Sequence, residues 1–298
     1  MFFLVRKGDA TTLAPTRTGL SSLEQHVRSR GTGRIVLVVV TLLGVGLGFL
    51  HAAPGVGPAG EAPQDFRRLV DQRRSSGRPP AGPSEFYFTR GVYSSPWRGN
   101  RSWATDFPKA DRQLMAAVNT LVDMSASERE NAVRLDDPNL RRFPFLYMLE
   151  IEGMSLTPAE VEGLGSYLRA GGFLVVDDFW GAWAFEDLAR EMRRTLPEYS
   201  IVEIPSDHPI FNTVYRIKEV IQVPAIGNYY GGRTWERDGY EAFTRGIFDD
   251  KGRLMVVING NTDLGDAWEW FERPEYPLQF SSFAVQMGVN FIVYSMSH

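Results

Sequence analysis

Apolar and polar positions divide the chain into four stretches. Residues 1–34 show no periodicity and are rich in Thr, Ser, Gly and Arg, the composition of a disordered basic tail. From Ile35 to Leu50 the chain reads IVLVVVTLLGVGLGFL, apolar and uncharged, and Ala52 and Ala53 extend the run past His51. Residues 54–83 are rich in Pro, Gly and Arg and read as a semi-extended tether, within which Asp65–Arg74 can form a short helix. From Ser84 to the C-terminus, apolar runs alternate with amphipathic stretches, as in a single α/β domain over 84–298.

Within that domain the elements follow one another clearly. Ser84–Tyr93 reads as a strand and Ser94–Thr105 as a loop. Pro108, preceded by Asp106, opens a helix to about Val122, with Leu114, Ala117, Val118 and Leu121 on one face. Val133–Leu135 is a short strand. Phe143–Leu149 is an apolar run of the kind buried on both faces. Thr157-Pro158-Ala159-Glu160 is a capping box that starts a helix to Arg169, ended by Gly171-Gly172. Then come a strand at Phe173–Val176, a helix at Phe185–Leu196, a strand at Ser200–Ile204, a turn at His208–Phe211 and a strand at Arg253–Ile258. Phe280–Tyr294 closes the chain as a helix or a helix and strand. The alternation implies a mostly parallel sheet with helices on both faces, and ligands of such sheets bind beyond the carboxyl ends of the strands.

The apolar run decides the expected compartment. It is short for a transmembrane helix and slightly long for a signal-peptide core. Arg28, Arg30 and Arg34 precede it, so the N-terminus is expected in the cytoplasm and the rest outside. An uncleaved signal anchor places the protein in the cytoplasmic membrane with a periplasmic domain. A cleaved signal peptide makes it an exported protein. A formal charge of −4 argues against nucleic acid as a partner. The absence of cysteine excludes thiolate nucleophiles, disulfides and Cys-ligated metals. No G-x-S-x-G elbow, P-loop or H-E-x-x-H is present.

Several segments together resemble the bacterial domain-of-unknown-function family 4159, whose members are exported or membrane-anchored. They are FYFTRGVY (Phe86–Tyr93), WATDFPKAD (Trp103–Asp111), FPFLY (Phe143–Tyr147), YLRAGGFLVVDD (Tyr167–Asp178), HPIF (His208–Phe211) and GVNFIVY (Gly288–Tyr294). The GGFLVVDD strand followed by HPI is also similar to the trehalose-utilisation branch of the class I glutamine amidotransferase-like superfamily. That likeness implies a flavodoxin-like sheet. Amidotransfer does not carry over, because those enzymes use a Cys that this chain lacks.

The strand ends select the candidate pocket: Tyr93, Trp103, Asp106, Asp177, Asp178, His208 and Arg233. Asp177-Asp178 suit metal coordination or general base work, or cap the loop after the strand. His208, the sole imidazole within the domain before the terminal His298, suits acid–base or ligand work, or pins a loop. With one such His, a His₂ or His₃ zinc site is excluded, whereas Asp177, Asp178 and His208 could hold a harder divalent cation. No cofactor is otherwise indicated. Trp103, Trp180 and Trp235 beside acidic and basic residues suit sugar rings, but more readily shield loops and the flanks of the sheet. Arg233, in a glycine-rich loop, suits an anionic group. Asn259–Asp263, rich in turn formers, could bind an ion. The leading expectation is a non-enzymatic binding or scaffold module of the cell envelope, with cell-wall glycan or a membrane protein as partner. The rivals are a carboxylate-dependent glycan hydrolase or lyase using Asp177 or Asp178 with His208 or Asp106, and a docking domain for a partner membrane protein.

Overall fold

The computed structural model describes residues 66–75, 84–96 and 102–298. The expected basic tail, the membrane segment over 35–53 and most of the tether lie outside these residues. Among the described residues no helix is long and apolar enough to cross a membrane.

A seven-stranded sheet organises the domain. Its spatial order is β4 (Ala132–Arg134), β2 (Arg90–Val92), β5 (Phe145–Leu149), β6 (Phe173–Asp177), β9 (Leu254–Gly260), β8 (Phe243–Phe248) and β7 (Ile201–Glu203). The first five are parallel; β8 runs antiparallel to both β9 and β7. Taken in chain order, the five parallel strands lie 2-1-3-4-5, an order common among doubly wound sheets. The expected strand Ser84–Tyr93 is divided in two. β1 (Phe86–Tyr87) pairs with β3 (Ala126–Ser127), and β2 pairs with β4 and β5. At the break, Thr89 donates its hydroxyl to the Tyr87 carbonyl (2.9 Å) and accepts from Asn131 (2.8 Å).

The unbroken apolar runs follow from burial on both faces. Along β5, Phe145, Tyr147 and Leu149 face one core, and Leu146 and Met148 face the other. The first core lies under α2 (Lys109–Leu121), α6 (Leu264–Glu269) and α7 (Leu278–Ser297). The second lies under α3 (Pro158–Arg169) and α4 (Gly181–Thr195). The capping box forms as the sequence indicates: the Glu160 amide donates to the Thr157 hydroxyl (3.2 Å), and the Thr157 amide donates to the Glu160 carboxylate (2.8 Å). Just after α3, Gly171 adopts φ +111°, a conformation that admits the turn into β6 only without a side chain. The closing segment is one continuous helix, α7. Its buried Asn290 accepts from the Val214 and Tyr215 amides and donates to the Tyr215 carbonyl (2.8–3.0 Å), anchoring the chain after β7.

The tether expectation needs correction over one stretch. α1 (Phe66–Ser75) docks on the domain, with Phe66 and Val70 fully buried. Phe66 meets Phe271 edge-on at 5.3 Å between centroids. Three arginines of this stretch are hydrogen-bond clamps. Arg67 donates to the Tyr276 carbonyl (2.8 Å) and Ser281 (2.6 Å), Arg74 to Gln113 (2.5 Å), and Arg73 to the Asn119 carbonyl. Two apolar residues one helical turn apart, flanked by long donors, are enough to dock a single short helix.

Phe66→Ala is therefore expected to destabilise the domain by about 3 kcal/mol, and to lower its melting temperature by roughly 6–12 °C. The exposed Asp71→Ala is expected to change stability by no more than about 0.5 kcal/mol. Thermal unfolding followed by circular dichroism checks both. An unchanged Phe66→Ala melt would mean that the docked helix contributes nothing to stability.

Candidate active-edge carboxylate site

The site begins at a buried guanidinium. Arg90, at the start of β2, is fully buried and makes an ion pair with Asp111 in the first turn of α2 (2.6 Å). Its remaining donors reach the Thr105 (2.9 Å) and Trp103 (3.2 Å) carbonyls, and it lies 5.0 Å from the Tyr147 ring centre. One charged group thus ties β2, α2 and the loop between them. That loop presents Asp106, whose backbone has φ +60°. The residue is partly exposed as a whole, but its Oδ2 is sealed from solvent and has no hydrogen-bond partner among the described residues.

The strand ends bring further carboxylates to this edge. Asp177 ends β6 fully buried. Its Oδ2 accepts from the Tyr147 hydroxyl (2.7 Å) and the Leu264 and Gly265 amides (2.9 and 3.2 Å), while its Oδ1 has no partner. Asp178 follows with φ +47° and accepts from the Trp180 indole (3.0 Å). Asp263 caps α6, accepting from the Asp266 amide (2.7 Å). Asp266 accepts from the Trp270 indole (3.0 Å) and the Ile226 amide. Asp106, Asp266 and Glu269 each place a carboxylate oxygen within 4.8 Å of the other two. Gly265 makes the close approach feasible, since a Cβ there would stand 2.9 Å from Asp106 Oδ2. All five non-glycine residues with positive φ among the described residues are Asp106, Glu150, Asp178, Asn261 and Arg237. Four of them belong to the turns directly after parallel strands or to the Asp106 loop. Arg237 joins this edge through its ion pair with Glu152, 2.7 Å away. Backbone strain concentrated at one edge is typical of functional sites.

Electrostatics follow from desolvation and crowding. Burial pushes Asp106 up to about 8, and the neighbouring Asp266 adds to it. Burial pushes Asp177 up to about 7, against the pull of the Tyr147 hydroxyl and of backbone amides, that of Leu264 foremost. Asp178 is raised well above the ordinary range by burial and then by Glu150, and Asp263 by burial and then by Asp178. Asp266 and Glu269 are raised by burial, with Lys109 opposing in both. An assembly of oxygen ligands with neither imidazole nor thiolate suits protons and hard cations.

Of the residues chosen from sequence, Asp106, Asp177 and Asp178 meet at this edge. Tyr93 lies beneath it, its hydroxyl donating to the Leu149 and Glu150 carbonyls (both 2.8 Å). Trp103 stacks edge-on against Phe107 at 5.5 Å and braces the Asp106 loop. His208 does not join them. Its Nδ1 accepts from the Ile210 amide (3.2 Å) and its ring packs on Phe248 and Tyr294. Phe248 pairs with Leu254, the first residue of β9, so His208 lies at the opposite end of that strand from Asp263. The chain after β7 doubles back along the sheet, which the position of His208 behind a strand could not reveal. Arg233 is exposed on the loop over this edge and donates to Asn228 (3.2 Å). That loop is tied down by Gln222, which donates to the Gly239 and Asn261 carbonyls (2.9 and 3.1 Å). The sequence reading passed over Asp266 and Glu269. Their signal is the spacing Asp263-x-x-Asp266-x-x-Glu269, which puts three acids on one face of a helix.

A family model described as a domain of unknown function, DUF4159, matches residues 92–296. The chain belongs to this family. The DUF4159 match begins at the last residue of β2 and spans the later parallel strands and every carboxylate of the site. No curated protein matches the chain in sequence.

The raised carboxyls give the DUF4159 domain a definite pH dependence. A carboxyl protonated when folded and ionised when unfolded makes stability fall as pH rises between its unfolded and folded pKa values. For Asp177 and Asp106 that window runs from the ordinary 3.8 up to about 7 and about 8. The slope is at most about 1.4 kcal/mol per pH unit for each group. His208, held below its usual 6.5 by burial, works in the opposite sense only below that value. In chelating buffer the melting temperature is therefore expected to fall between pH 6.5 and 8. Asp106→Asn is expected to flatten this fall and to equal or exceed the wild type at pH 8. A melting temperature that rises through this window would contradict the assignment.

Proposed function

We propose that the chain is a membrane-anchored, extracytoplasmic binding module of the bacterial cell envelope. In this reading the domain is flavodoxin-like and takes its ligand at the carboxyl edge of its parallel strands. The carrying observation is the group of desolvated carboxylates at that edge, where Asp106 Oδ2 and Asp177 Oδ1 are sealed without a donor. Such groups cost folding stability, and an edge that keeps them together serves a ligand rather than the fold. The 2-1-3-4-5 order of the parallel strands supports the flavodoxin-like reading. The apolar run Ile35–Leu50 behind Arg28, Arg30 and Arg34 supports the anchor and its orientation. Partly protonated carboxyls beside indoles offer donors, acceptors and apolar faces, which suits the hydroxyl-rich glycan of the cell wall. Of the two partners that hydrolysis could pair with Asp177 or Asp178, His208 packs at the other end of β9, which leaves only Asp106 for that role.

The full chain, purified in detergent, is expected to co-sediment with cell-wall sacculi without releasing soluble fragments. Asp106→Asn with Asp178→Asn is expected to cut the bound fraction about tenfold. Release of fragments would reassign the protein to glycan hydrolysis, and failure of the wild type to sediment would exclude the glycan ligand. Protease added to spheroplasts is expected to degrade the DUF4159 domain; protection of the domain would overturn the extracytoplasmic orientation.

A further inference from the structure

We propose that Asp106, Asp266 and Glu269 form a binding site for one hard divalent cation of the calcium and magnesium class. The inference rests on the reading of this edge as the ligand site and names what first occupies it. Three carboxylate oxygens from two distant segments converge within 4.8 Å of one another. Calcium–oxygen bonds of about 2.3–2.6 Å let ligands on opposite sides of an ion stand about 5 Å apart, so this spacing is compatible with three ligands of one ion. The second observation is independent of the spacing: Asp106 Oδ2 is cut off from solvent and receives no hydrogen bond. A sealed carboxyl oxygen that receives no hydrogen bond is an open ligand position, and a bound cation supplies its partner.

Among the described residues, the nearby side-chain cations are committed elsewhere. Arg90 spends its guanidinium on Asp111 and on the Thr105 and Trp103 carbonyls. Lys109 pairs with Glu272 (3.0 Å) and lies 3.5 Å from the centre of the Trp270 ring. Asp266 is meanwhile oriented from behind by the Trp270 indole and the Ile226 amide, as ligating carboxylates usually are. Asp177, fully buried with its own unpartnered Oδ1, adds negative potential beside Gly265. With carboxylate ligands only, the site favours calcium, magnesium or manganese over zinc or copper.

The test uses the full chain in detergent, stripped with chelator and titrated with calcium chloride, magnesium chloride or terbium chloride. We expect one cation per chain by calorimetry and a rise in melting temperature with the cation. Terbium emission should be sensitised by Trp270, whose indole is bonded to a ligand carboxylate. Asp266→Asn and Glu269→Gln are each expected to weaken binding roughly tenfold or more. Both variants should fold in chelator with melting temperatures at or above that of the wild type, because each removes a mutually repelling charge. Glu198→Gln, at the surface pair with Arg169, is expected to bind as the wild type does. Absence of a cation-dependent shift and of sensitised emission would overturn the proposal, as would wild-type affinity in Glu269→Gln. Because no glycan is present, a chain that binds sacculi but no cation defeats this inference alone. A chain that binds the cation but ignores sacculi defeats the glycan reading alone.

Discussion

Everything at the carboxyl edge depends on a positive charge held in the interior. Arg90 has no exposed surface, and its burial is tolerable only because Asp111 and two carbonyls meet its donors. Those partners belong to α2 and to the loop that carries Asp106, so the ion pair fixes where that loop lies against the sheet. Replacing one partner would leave the other charge stranded in the core. The same guanidinium lies beside Tyr147, whose hydroxyl donates to Asp177. One residue thereby positions both sides of the carboxylate group.

The two ends of the sheet divide their tasks by electrostatics. At the carboxyl edge, acids are packed against one another and pushed toward protonation. At the other end acids are paired conventionally: Glu198 with Arg169 and Asp249 with Arg253, and each is held below its ordinary range. The contrast separates charges that serve solubility from charges that are kept together at some cost to the fold. It also explains the covering loop. Gln222, Asn261 and the Arg237–Glu152 pair hold residues 222–241 over the edge, limiting water at a site whose strength depends on low local polarity.

Much of the architecture was legible because its causes are local. The capping box at Thr157–Glu160 and the doubly buried runs at Phe145–Leu149 and Phe173–Asp177 carry their own signals. The antiparallel strand β8 was not legible: Phe243–Phe248 mixes Arg and Gly into a half-buried pattern that resembles neither a core strand nor a clean alternation. α6 has six residues, too few for a helical period to show. The short helix α1 was legible but its docking was not, because its apolar face consists of two residues, Phe66 and Val70, and only contact with Phe271 gives that face a meaning.

The sequence by itself determined the order of the elements, the pairing of capping signals with helices and the carboxylates that follow the parallel strands. It also determined the charge balance and the lack of thiol chemistry. Which acids meet was decided only by the tertiary structure. Asp106 and Asp266 are 160 positions apart in the chain, and their proximity follows from α2 and α6 packing on the same face. His208 was drawn away by the return of the chain after β7. Hydrophobic periodicity and capping act over one or two turns of chain, whereas a site forms where distant strand ends are brought side by side by the strand order.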